Sequence, residues 1–133
     1  MLHPAALPLP LLGRLLPAGF PSPADDYLAG EIDLGAYLIE RPASTFLMRV
    51  SGESMKNASI LDGDLVVVDR SVTPQSGHVV VGVVEGEMTL KRFRRKGASI
   101  ALEAANPAYE TRIFGPDQVE VQGKLVGLIR RYH

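Results

Sequence analysis

The sequence predicts a mainly β fold, a compact antiparallel β-domain preceded by an extended N-terminal arm. Three observations point there. From residue 45 onward, short runs rich in valine and isoleucine recur between glycine, proline and aspartate breaks. No long amphipathic stretch of helical period, heptad run or internal repeat interrupts them. Six of the ten prolines fall within the first 30 residues, setting that part of the chain apart.

The arm comes first. Pro4, Pro8, Pro10, Pro17, Pro21 and Pro23 remove backbone donors and restrict the residues before them. That argues against regular helix or a central strand and predicts an extended or mobile segment over 1–30, with the β-domain occupying 31–133. Thr45 to Val50 is the first predicted strand. Leu65 to Asp69 follows the turn Asp62-Gly63-Asp64. His78 to Val84 leads through the hairpin signal Glu85-Gly86 into Met88 to Arg95. Ile100 to Ala104, Thr111 to Phe114, Val119 to Gln122 and Lys124 to Arg130 complete the set, with breaks at Gly97, Pro107, Gly115-Pro116 and Gly123.

Bulk properties narrow the class. The chain has 133 residues, enough for one domain to bury a core without staples. Hydrophobic residues at 46% against 22% charged describe a soluble globular chain rather than a disordered one. A net charge of -1 offers no electrostatic argument for a nucleic-acid or membrane surface. The absence of cysteine excludes disulfides and thiol chemistry and is compatible with a reducing, cytoplasmic location. Leu7 to Leu16 is the one stretch resembling a targeting segment. Two prolines and Arg14 interrupt it, and it is too short to span a bilayer.

Ser51-Gly52-Glu53-Ser54-Met55 follows the first predicted strand in a polar turn. A serine there can present its hydroxyl at a strand end, with backbone N–H groups free to hold an oxyanion; it can equally be a plain turn residue. Of the three histidines, His3 and His133 sit near the chain ends and His78 opens a strand, which gives a Ser-His-Asp triad little support. Lysine is the other candidate base. Lys91 lies mid-strand, on the same face as Thr89 and Phe93, with Leu90, Arg92 and Arg94 on the opposite face. Holding an unperturbed lysine neutral at pH 7 costs about 4–5 kcal/mol, so this chemistry requires a desolvated site. The competing reading makes Lys91 a solvated member of the basic run Lys91-Arg92-Phe93-Arg94-Arg95-Lys96.

Three segments in order, Ser51 to Met55, Asp62 to Asp69 and Glu87 to Arg92, resemble the peptidase domain of the LexA/UmuD superfamily. The spacing from Ser54 to Lys91 fits that pattern. Gly19 to Tyr27 (GFPSPADDY) is similar to the segment after the cleavage site of UmuD proteins, and Asn106-Pro107-Ala108-Tyr109 to a later loop of the same family. His78 stands where the family often has aspartate, which implies that this position is not catalytic. Residues 1–17 match no family segment and are too few for the helix-turn-helix reader of LexA-like repressors.

The resemblance implies a β-domain of the LexA/signal-peptidase type and a serine endopeptidase with a Ser/Lys dyad. Ser54 would be the nucleophile, Lys91 the general base, and the backbone N–H groups of Glu53 and Ser54 the oxyanion donors. The bond cut would be the chain's own Ala18-Gly19. No metal or other cofactor is implied. The implied partners are a second copy in a homodimer, a RecA filament on single-stranded DNA that promotes cleavage, and a UmuC-like catalytic subunit of a Y-family translesion polymerase in the SOS response. Neither a membrane nor sequence-specific DNA binding is implied. The alternative is the dimerisation and cleavage domain of a LexA- or phage-type repressor lacking its DNA-binding domain. Signal peptidases share the chemistry but need a membrane anchor, for which no segment here qualifies.

Overall fold

The structure, a computed structural model, describes residues 6–13 and 28–133. The chain falls into two units, Met1–Glu40 and Arg41–His133. In the first, β1 (Pro8–Leu12) pairs antiparallel with β2 (Leu28–Asp33), from Pro8 opposite Asp33 to Leu12 opposite Leu28. Proline is tolerated because a two-stranded ribbon has a free edge on each strand, where a missing N–H breaks no ladder bond. The short helix α1 (Leu34–Leu38) follows, with the Asp33 carboxylate accepting from the Gly35 N–H at 3.1 Å as its N-cap. The proline-rich arm thus contributes a strand that its composition argued against only for a sheet centre.

The second unit is a seven-stranded antiparallel sheet. Its strands are β3 (Thr45–Arg49), β4 (Leu65–Asp69), β5 (Val79–Val84), β6 (Glu87–Lys96), β7 (Ser99–Glu103), β8 (Arg112–Phe114) and β9 (Val119–Ile129). Their order across the sheet is β3-β4-β9-β5-β6-β7-β8. The mainly β, antiparallel expectation holds. Glu85 and Gly86 form the two-residue β5–β6 turn, both in the left-handed region that suits the twist of a tight hairpin.

The sequence expectation of two strands broken at Gly123 is corrected: β9 is continuous. Its first half pairs with β5 and its second half with β4. A Cβ on Gly123 would lie 2.7 Å from Val68 Cγ1 and 2.9 Å from the Asp69 carbonyl oxygen, so glycine permits a close crossing here. A register shift on either side of the crossing lets one strand serve two neighbours.

Alternation separates the apolar side chains onto two faces. Val80, Phe93, Ile100, Leu102 and Phe114 pack in one cluster. Val81, Val66, Val68, Met55 and Ile60 pack in another. Two buried carboxylates are tied down at the sheet ends. Asp69 accepts from Ser44 and Ser71 and pairs with Arg41, while Asp64 takes a bidentate grip from Arg130 Nε and Nη2, both at 2.7 Å. These bonds hold both carboxyls below the usual carboxylate range.

Candidate active site

The turn that carries Ser54 leaves β3 at Val50 and is fastened at several of its peptides. The Val50 N–H donates to the Asp64 carbonyl and the Gly63 N–H to the Val50 carbonyl, both at 2.8 Å. The Gly52 N–H donates to Asp62 Oδ1 at 2.7 Å. The Glu53 carbonyl accepts from Asn106 Nδ2 at 2.9 Å, and the Ser54 carbonyl from the Ala105 N–H at 2.8 Å. Met55 is buried in the second apolar cluster and anchors the far side. Among the described residues, no acceptor takes the N–H of Glu53 or of Ser54.

Lys91 comes from the middle of β6, opposite Val80 of β5. Phe93, on the same face, is buried at 1% exposure, which supplies the apolar floor that alternation predicts. Lys91 Nζ lies 3.1 Å from Ser54 Oγ, 2.8 Å from Thr89 Oγ1 and 3.1 Å from the Leu90 carbonyl oxygen. As an ammonium it donates to all three. As a neutral amine it donates to Thr89 and Leu90 and turns its lone pair to the Ser54 hydroxyl. Burial pushes the amine below its ordinary lysine range, the direction that favours the neutral form.

A cavity of about 220 Å³ opens beside the pair, walled by Met48, Val50, Val66, Val81 and Leu90. A second cavity of about 220 Å³ meets it at Thr89 and Lys91 and is rimmed by Glu87, Glu110 and Arg112. Arg49 and Ser51 also line the first cavity, and Val84, Leu102 and Phe114 the second, so the amine stands between two cavities of mixed polar and apolar lining, with Ser54 lining the first. This arrangement can move a proton from an alcohol to an amine beside a bound chain.

The other residues named from sequence are distributed as follows. His78 does not join the pair: its Nδ1 accepts from the Gln75 N–H at 3.1 Å, and its carbonyl accepts from the Phe93 N–H. The basic run is largely engaged within the domain. Arg92 donates to the Gly77 carbonyl, Arg94 pairs with Glu103, and Arg95 lies over the Phe93 ring. Ala18 and Gly19 lie outside the described residues. Among those described, no cluster of three or more His, Asp or Glu is placed to hold a metal, and no helix is long and apolar enough to cross a membrane.

The sequence matches the Peptidase S24-like family over residues 10–126, most of the chain and all of the site. It belongs to this family. The S24-like family lies within the LexA/UmuD superfamily, has the LexA-like β-fold, and includes self-cleaving serine peptidases as well as inactive, repressor-like members. Within the S24-like domain, the sequence named Ser54, Lys91 and Glu53 but gave no role to Thr89 or Asp62. Thr89 was legible as a neighbour of Lys91 by alternation. Asp62 was legible only as a turn residue.

Proposed function

We propose that this S24-like chain is a Ser/Lys endopeptidase that cuts its own Ala18-Gly19 bond. The observation carrying this reading is the approach of Lys91 Nζ to Ser54 Oγ at 3.1 Å, with Thr89 and Leu90 accepting the amine's two remaining hydrogens. Neutral Lys91 takes the Ser54 proton as Oγ attacks the Ala18 carbonyl carbon. The oxyanion gathers the free N–H groups of Glu53 and Ser54. The resulting ammonium returns the proton to the departing Gly19 amine, and water then hydrolyses the Ala18 ester. Small residues on both sides of the bond let the backbone approach the nucleophile closely.

The arm and the β-domain belong to one chain, so the substrate is present at high effective concentration. The rate is then set by how often the bond occupies the cleavable pose. In this reading a RecA filament on single-stranded DNA raises that population in the cytoplasm. The product, residues 19–133, forms a homodimer that serves a UmuC-like Y-family polymerase in SOS translesion synthesis. The test is intact-mass analysis and N-terminal sequencing of purified protein aged at raised pH. A fragment beginning at Gly19 is expected. A cut elsewhere removes the site assignment, and a chain that stays whole with RecA filaments present removes the self-cleavage reading.

A further inference from the structure

Of the buried polar side chains among the described residues, Asp64, Asp69 and Asn106, only that of Asn106 bonds the turn that carries Ser54. Asn106 is 8% exposed and sits in the loop between β7 and β8, 53 positions beyond Glu53. Its own loop is folded around it: Oδ1 accepts from the Ala108 N–H at 3.0 Å, and its carbonyl from the Tyr109 N–H at 3.1 Å. That leaves Nδ2 to donate to the Glu53 carbonyl at 2.9 Å. Next to it, Ala105 donates to the Ser54 carbonyl and accepts from the Asn57 N–H, both at 2.8 Å. A loop with no reacting group thus grips the turn before and after Ser54.

The direction of the grip matters. The Glu53–Ser54 peptide is trans, so its C=O and N–H point to opposite sides. Fixing the Glu53 carbonyl toward Asn106 turns the Ser54 N–H away from the loop, and that N–H bonds no other described group. The Lys56 N–H also reaches the Glu53 carbonyl, at 3.2 Å, but it belongs to the same turn and moves with it. Asn106 is the tie from outside the turn, and its burial shields that bond from competing water.

We infer that Asn106 is a positioning residue: by holding the Glu53 carbonyl it aims the Ser54 N–H at the oxyanion formed during cleavage. The inference rests on the Ser54/Lys91 reading above. Removing an oxyanion donor outright costs roughly 100- to 1,000-fold in rate. Misaiming one is expected to cost roughly 10- to 100-fold.

The experiment follows self-cleavage of the full chain by intact mass across pH, in wild type, Asn106→Leu and Asn106→Asp. The leucine keeps the volume and removes the donor. The aspartate keeps the shape and the Ala108 bond but turns an acceptor toward the Glu53 carbonyl, which guards against a variant that merely fails to fold. The expected result is a rate plateau lowered about 10- to 100-fold in folded protein, with the Asn106→Leu profile keeping the wild-type midpoint. A merely structural role reads differently, because a loosened turn admits water to Lys91 and moves the midpoint up. A folded variant with a plateau within about twofold of wild type, or a lowered rate explained by a raised midpoint, overturns the inference while wild-type cleavage stands. A silent wild type overturns the Ser/Lys reading itself, and this inference with it.

Discussion

Lys91 Nζ sits 3.1 Å from Ser54 Oγ although 37 positions separate the two residues. The serine is delivered by the turn after β3 and the lysine by the β5–β6 hairpin. Neither segment contains the other's partner, so the pair exists only in the assembled sheet.

Ser54→Ala and Lys91→Ala are each expected to abolish self-cleavage while leaving the β-domain folded. The two groups act on one proton, so the double variant should be little slower than either single one. Intact mass gives the rate and circular dichroism the fold. Normal cleavage by Lys91→Ala would remove the lysine from the mechanism.

Cleavage without an activator should accelerate as pH rises and level off below the ordinary lysine value near 10.5. Burial lowers the pKa of Lys91, so the neutral, reactive amine is populated at lower pH than in a free lysine. His78→Ala should leave this profile unchanged, since the His78 ring is engaged with Gln75. A plateau already complete near pH 7 and lost in His78→Ala would point to a histidine base instead.

Thr89→Val tests the nearest neighbour of the amine. The hydroxyl accepts from Lys91 Nζ at 2.8 Å and stabilises the ammonium more than the amine. Its loss should lower the midpoint of the pH–rate profile by about one pH unit, the equivalent of one charged hydrogen bond. The plateau should fall about tenfold because the lone pair is less well directed at Ser54. A midpoint that moves up would contradict the assignment.

Gly123→Ala probes the crossing of β9. The added methyl would meet Val68 Cγ1 and the Asp69 carbonyl below contact distance, and the carbonyl is backbone that cannot swing aside. A loss of about 1–3 kcal/mol is expected from urea denaturation. An unchanged midpoint would show that the crossing has room for a methyl group.

Much of this was legible in the sequence because strand alternation and turn residues are local signals. Valine runs bounded by glycine and aspartate located β4 and β5, and alternation put Thr89 and Phe93 on the face of Lys91. The pairing of Ser54 with Lys91 was not local. Residue chemistry left it open, and only the spacing shared with a family pattern singled it out. Gly123 misled for a physical reason: glycine signals a turn and a close backbone crossing equally well, and here it marks the crossing. Asn106 was visible as a loop residue, but its hold on Glu53 depends on a contact that no periodicity encodes. The ribbon strand β1 was hidden by Pro8 and Pro10, whose cost vanishes at a free edge.

The place of β9 in the sheet has a consequence for the timing of synthesis. Among the described strands, β9 alone joins the β3–β4 pair to the β5–β6 pair, and it is the last to leave the ribosome. A nascent chain that already contains Ser54 and Lys91 therefore has no sheet to bring them together. On the proposed Ser/Lys reading, a growing polypeptide whose sheet is still in two halves does not yet hold the pair that would cut it, so the order of synthesis would itself delay self-cleavage.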